Sequence, residues 1–123
     1  MKLKFTVQGK PISDNLAYGY ARFGRYLKTE GKDYKKRFTH EALVAKNLLS
    51  NGWRMDSPMR LTIQLFFKDR VKRDCQNFGK LICDAMNGCV YNDDSQIQEI
   101  IIRKYIWPET QPFVDIEVEE IEP

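Results

Sequence analysis

Residues 59–86 read MRLTIQLFFKDRVKRDCQNFGKLICDAM, and the hydrophobic period changes partway along them. Over Met59–Phe67 the period is two. Leu61, Ile63, Leu65 and Phe67 fall on one face, which predicts a strand with one buried side. Over Cys75–Met86 the period is that of a helix, with Phe78, Leu81, Ile82, Ala85 and Met86 forming an apolar stripe. Asp74 stands where an N-cap is favoured, and Asn87-Gly88 where a helix stops. A strand that feeds a helix in this way points to an α/β or α+β domain.

The flanks extend the pattern. Lys2–Gln8 alternates, with Leu3, Phe5 and Val7 on one face, and Gly9-Lys10-Pro11 ends the strand. Residues 12–32 carry Gly19, Gly24 and Gly31 and show no sustained period, so they are expected to form a long, basic, partly mobile loop. From Asp33 onward Tyr34, Phe38, Ala42, Ala45, Leu48 and Leu49 recur at helical spacing, with Asn51-Gly52 as the stop. The isoleucine-rich stretch Glu99–Ile106 predicts a buried strand. Phe113–Ile121 alternates Val114, Ile116 and Val118 against Asp115, Glu117 and Glu119, a strand with one wet face. The expected order is β-α-β-α-β-β, a small mixed sheet with helices packed on one side. Neither repeats nor low-complexity segments interrupt it.

At 123 residues with 42% hydrophobic and 30% charged side chains, the chain is one domain, 1–123, with a true core. That composition excludes disorder. No apolar run approaches the ~20 residues that span a bilayer, so no membrane partner is expected. The start, Met1-Lys2-Leu3-Lys4-Phe5, has no signal-peptide block, which places the protein in the cytosol as an expectation. Cys75, Cys83 and Cys89, spaced by 8 and 6 with one histidine (His40) elsewhere, fit no zinc pattern and no disulfide framework. They are expected as small buried hydrophobes, and His40 as a helix-surface residue.

The net charge of +3 conceals a gradient. Residues 1–54 hold 12 Lys/Arg against 4 Asp/Glu, residues 55–94 hold 6 against 6, and residues 95–123 hold 2 against 7. A basic N-terminal half suits a polyanionic partner. Within it, residues 22–38, RFGRYLKTEGKDYKKRF, contain seven cations among seventeen residues, interleaved with Phe23, Tyr26, Tyr34 and Phe38. Tyr34 and Phe38 fit the helix's core stripe. The candidates for gripping phosphates are Arg22, Arg25, Lys28, Lys32, Lys35, Lys36, Arg37, Lys72 and Arg73.

The neutral middle holds the densest chemistry. Asp74, Asp84, Asp93 and Asp94 lie within twenty-one positions. They converge only if the loop after the helix folds back along it, a return that Val90 and Tyr91 can pack. Converged carboxylates hold a hard cation such as Mg²⁺ through oxygen. Lys80 and Asp84, four apart, share a helix face, and Asn77 lies on that same face. Each feature also has a plainer reading: Asp74 as a cap, Asp93-Asp94-Ser95 as a polar turn, Lys80–Asp84 as an exposed ion pair worth little. A basic loop beside an acidic cluster is nevertheless what a metal-dependent nuclease requires, since the acids alone would repel DNA phosphates.

The chain resembles the RusA family of Holliday junction resolvases, small endonucleases of bacteria and their prophages. The likeness rests on Gly9-Lys10-Pro11 with Asn15, on Lys28-Thr29 and Tyr34, and above all on RDCQNFGKLICDAMNGCVYNDDSQI over residues 73–97. The family pattern there is Arg-Asp-x-Asp-Asn, a Lys three residues on, Asp-Ala-Leu-Asn-Gly and Asp-Asp-Ser-Gln-Ile. The resemblance implies Asp74 and Asp94 as catalytic metal ligands, Asp93 as an assisting acid and Lys80 as a catalytic lysine. It also implies Mg²⁺ (or Mn²⁺ as a substitute), branched DNA as partner, especially four-way junctions, and a homodimer that nicks symmetrically. One departure stands out: the second acid of the Asp-x-Asp pair is Gln76. Three consequences are open: compensation by Asp84 or Asp93, weaker metal binding, or a junction binder that cuts poorly.

Overall fold

Where polar and apolar residues alternate, the chain forms the strands of one sheet. The structure, a computed structural model, describes residues 1–22, 24–49 and 52–122. Strands β1 (Lys2–Gln8), β4 (Met59–Phe67), β5 (Ile97–Ile106) and β6 (Phe113–Glu120) pair in the order β1-β6-β4-β5. β6 is antiparallel to both neighbours, and β4 and β5 are parallel, so the sheet is mixed. Register aligns Leu3, Val118 and Leu61 across three strands, then Phe5, Ile116 and Ile63, then Val7, Val114 and Leu65. All nine are buried.

Helices α2 (Thr29–Leu48) and α3 (Lys80–Met86) close over that face. α2 contributes Tyr34, Phe38 and Ala42, and α3 contributes Leu81, Ile82, Ala85 and Met86. Burying each large apolar side chain is worth about 1.5–3 kcal/mol, which is what holds so short a helix as α3 in place. The opposite face carries ion pairs, with Lys2 bridging Glu117 and Glu119, Lys4 meeting Glu117 at 3.4 Å and Arg60 meeting Glu99 at 2.6 Å, and, at one end, Phe66 stacked between Tyr105 and Phe113.

Four expectations are corrected. Residues 12–32 are not one long loop. They contain the short helix α1 (Asp14–Ala17), a two-stranded hairpin of β2 (Tyr18–Ala21) and β3 (Gly24–Leu27), and the first turn of α2. The element order therefore gains a helix and a hairpin between the first strand and the first long helix. The glycines mark close packing there. A Cβ on Gly31 would lie 2.6 Å from the Ala17 carbonyl oxygen, and one on Gly19 would lie 2.5 Å from the Tyr26 ring. α2 starts at Thr29, ahead of Asp33. The helix expected over Cys75–Met86 is a 3₁₀ turn (Cys75–Phe78) and then α3, divided at Gly79. β5 is an edge strand with Ile100 48% exposed, because only β4 pairs with it.

Tyr34 and Phe38 lie in the core, Cys83 and Cys89 are buried thiols while Cys75, expected to be buried too, is only partly so, and His40 is exposed. α3 ends at Asn87, with Gly88 at φ +75°, the left-handed position that favours glycine after a helix. Of the Asn51-Gly52 stop, Asn51 lies outside the described residues, as does Phe23. No helix among the described residues is long and apolar enough to cross a membrane.

Candidate active site

Gly79 has no side chain to cap α3, and the cap comes from far away in sequence. Asp14, the first residue of α1, accepts the backbone N–H of Lys80 at Oδ2 (3.1 Å) and that of Leu81 at Oδ1 (3.0 Å). A carboxylate here also meets the positive end of the peptide dipoles. Asp74, the residue expected to cap, makes no side-chain capping bond. Its backbone carbonyl instead accepts from Asn77.

Lys80 thus opens α3 and reaches one turn along it. Its Nζ donates to Asp84 Oδ1 at 3.2 Å, and Asp84 Oδ2 accepts the Tyr18 hydroxyl at 2.5 Å. Burial, then the bond to Asp84, pushes the Tyr18 phenol up from its ordinary value, so it stays a donor at neutral pH. The Arg25 guanidinium lies 4.7 Å over the Tyr18 ring. A line of polar contacts therefore runs from the hairpin, through Arg25, Tyr18 and Asp84, to Lys80.

The loop after α3 does return along it. Val90 and Tyr91 are fully buried, and the Tyr91 hydroxyl donates to the Cys83 carbonyl at 2.7 Å. That brings the Asp93-Asp94 turn beside α3. Asp93 caps the turn: its carboxylate accepts the Ser95 N–H at 3.0 Å, while its own N–H donates to Gln96 Oε1 at 2.9 Å. Gln96 Nε2 then donates to the carbonyls of Met55 and Ser57, fixing the turn to the chain before β4. The Ser95 bond holds the Asp93 carboxyl below its usual range, and the nearby Lys80 charge adds to this. Burial, with the charges of Asp94 and Asp84, pushes the Cys83 thiol up to about 11. Lys80, Asp84, Asp93 and Asp94 thus share one electrostatic neighbourhood, with Asp14 and Tyr18 bonded to its edge.

Asp74 and Gln76 are exposed on the 73–78 segment, which is tied to β5 by Lys104 Nζ donating to the Arg73 carbonyl at 2.6 Å. Asn77 is partly buried there. Asn77 belongs to the 3₁₀ turn and not to α3, the helix that carries Lys80 and Asp84. Nor do the acids form a preassembled cage: no three His, Cys, Asp or Glu side chains among the described residues are grouped to hold one ion. A magnesium ion does not need three, since one or two carboxylates suffice when water and phosphate complete its shell. Asp74 and Asp94 suit that role chemically, because neither carboxylate has a hydrogen-bond or ion-pair partner among the described residues.

The cations divide into two groups. Arg37 donates to the Gln8 carbonyl at 2.8 Å and lies over Tyr34. Arg73 pairs with Asp69 at 2.7 Å, 4.1 Å over the Phe67 ring. Arg37 is exposed all the same, whereas the Arg73 side chain is largely covered. Lys28, Lys32, Lys36 and Lys72 are exposed and Lys35 partly so, with Lys32, Lys35 and Lys36 lining one open groove on α2. Arg22 is exposed near the hairpin tip, and Arg25 is exposed on β3.

Sequence reasoning missed Asp14 and Tyr18. The only local trace was the Ser13-Asp14 pair, a helix-starting signal inside a stretch without periodicity. Residues 8–119 match the family model described as endodeoxyribonuclease RusA. A Bacillus subtilis (strain 168) protein, described as uncharacterized protein YqaN, is 26% identical over 139 residues, an alignment covering 97% of this chain and 96% of that protein.

Proposed function

The chain belongs to the RusA endodeoxyribonuclease family, and from that premise we propose that it is a divalent-metal-dependent nuclease that resolves four-way DNA junctions by paired symmetric nicks. The observation that carries the reading is the anchored Lys80, clamped at its backbone by Asp14 and at its ammonium by Asp84, beside the turn that presents Asp94. Asp74 and Asp94, with Asp93 assisting, are the proposed ligands of Mg²⁺ or Mn²⁺. The ion, when bound, supplies an activated water and polarises the scissile phosphate.

The chain's own residues do the rest. An ammonium has three N–H donors, and Asp84 takes one from Lys80, leaving two for the non-bridging phosphate oxygens as charge builds on them. Water adds to phosphorus, the P–O3′ bond breaks, and the products are a 5′-phosphate and a 3′-hydroxyl. Arg22, Arg25, Lys28, Lys32, Lys35, Lys36 and Lys72 are the proposed grips on the junction arms. Two strands cut symmetrically require two sites related by a two-fold axis, hence a homodimer.

The exposed neutral Gln76, beside Asp74, favours a second reading: a junction-binding dimer whose cutting is weakened. One assay separates the two. A synthetic four-way junction is incubated with Mg²⁺ and wild type, Gln76→Asp or Asp94→Asn. Paired nicks by wild type that vanish in Asp94→Asn support the nuclease. Tight binding without nicks, with cutting gained by Gln76→Asp, supports the second reading.

A further inference from the structure

We infer that Tyr20, on the β2–β3 hairpin, is a base-stacking platform that lets this site discriminate branched DNA from intact duplex. The inference rests on the nuclease reading above and deepens it. Residues alternate along a strand, so Tyr18 and Tyr20 lie on the same face of β2, about 7 Å apart. Tyr18 is turned inward, its hydroxyl on Asp84. Tyr20 is 79% exposed. Arg25 is Tyr20's direct partner across the hairpin and lies over the Tyr18 ring. One face of the hairpin therefore runs outward from Lys80 and Asp84 through Tyr18 and Arg25 to an open aromatic ring.

The other face of the hairpin has a packing explanation, because Tyr26 lies over Gly19 where no Cβ fits. Tyr20 has none: no aromatic ring among the described residues stacks on it, and most of its surface is open to solvent. Its surroundings select the occupant. Arg25 and Lys28 are exposed nearby, and the 22–38 stretch carries seven cations against Glu30 and Asp33. A phosphate backbone held by those cations brings its bases to Tyr20. An intact duplex keeps its base faces stacked and offers Tyr20 none, whereas a branch point exposes them.

The test measures binding without cutting, in EDTA, to a four-way junction and to a linear duplex of the same arm sequence. The proteins are wild type, Tyr20→Ala and Tyr20→Phe, and a 2-aminopurine placed beside the branch reports stacking. Tyr20→Ala is expected to lose roughly 5- to 150-fold in junction affinity, the value of one stacked base, and to leave duplex affinity unchanged. Tyr20→Phe keeps the ring and holds wild-type affinity, and fluorescence is quenched by wild type and Tyr20→Phe alone. If wild type nicks junctions in Mg²⁺ but Tyr20→Ala binds and quenches as wild type does, this inference falls and the nuclease reading stands. If wild type neither prefers nor nicks junctions, both fall. If Tyr20→Ala loses both DNAs and sediments as a smaller species, the face belongs to a second copy of the chain and the inference is overturned.

Discussion

Removing the Asp14 carboxylate should unfasten the proposed catalytic lysine from its scaffold. Asp14→Ala deletes the acceptors of two backbone donors, Lys80 N–H and Leu81 N–H, at the start of a seven-residue helix whose N-cap is a glycine. Losing a side-chain cap costs about 0.5–2 kcal/mol. A hydrogen bond to a charged group is worth about 1.5–3 kcal/mol, discounted here because the Lys80 bond is exposed and the Leu81 bond only partly buried. The working figure is about 1.5 kcal/mol, or a fall in Tm of roughly 5–9 °C for a domain of this size. Urea unfolding gives the first number and calorimetry the second. Asp14→Asn keeps one acceptor oxygen and should fall between. Nicking should suffer more than stability explains, because Lys80 is the first residue released when this end of α3 frays. A loss below about 0.5 kcal/mol with wild-type nicking would show that α3 needs no cap from α1, refuting the argument.

Tyr18→Phe removes the hydroxyl that holds Asp84 Oδ2; the expected outcome is a loss of about 1–2 kcal/mol in urea unfolding and a lower kcat with KM for junction DNA little changed. Lys80→Met should cut kcat by about 10²- to 10³-fold while leaving junction binding in EDTA intact, read by single-turnover nicking and gel shift. Cys83, buried with its thiol pushed up to about 11, should resist alkylation at neutral pH while the more exposed Cys75 reacts, as mass spectrometry will report. The same raised thiol fixes a sign. It stabilises the fold fully below the ordinary thiol value of 9.0, where folded and unfolded states are both neutral, and that contribution is lost as pH rises through about 11. Asp93 has the opposite sign: its lowered value makes a contribution present above the ordinary 3.8 and lost as pH falls below it, measurable as an acid-side loss of stability absent in Asp93→Asn.

The strands β1 and β4 could be read from sequence to the residue, and β6 to within one, because each alternates over seven or more positions against a single buried face. β5 was visible as a strand but not as an edge, since Ile-rich composition says nothing about which strand order will leave it exposed. Residues 12–32 were illegible for a different reason. α1, β2 and β3 have four residues each, too short for a period to repeat. They close through distant contacts, such as the Lys28 N–H to the Ala17 carbonyl at 2.8 Å. The site divides in the same way. The Lys80–Asp84 pair follows from helical spacing, and the folded-back turn from the apolar Val90 and Tyr91. The bonds that turn an ordinary ion pair into a fixed one come from Asp14 and Tyr18, some 66 residues away in sequence.

That distance bears on how Gln76 fits the proposed chemistry. Asp14 and Asp84 bond Lys80 at its backbone and its ammonium, Asp93 lies within reach of its charge, and in the proposed chemistry a DNA phosphate approaches these acids. Each added acid strengthens the hold on a divalent cation and weakens the hold on the phosphate, and at an exposed position such as 76 solvent screens both effects. Asp14 and Asp84 are neutralised locally, one by helix-end N–H groups and the other by Lys80 and Tyr18, so they add little repulsion toward DNA. Asp74 and Asp94, the proposed metal ligands, have no such side-chain partner among the described residues. On this accounting a neutral residue at position 76 gives up metal affinity and spares phosphate repulsion. Gln76→Asp should therefore lower the Mg²⁺ concentration needed for half-maximal nicking while weakening junction binding in EDTA. A variant that improved both at once would mean that position 76 faces neither the ion nor the DNA.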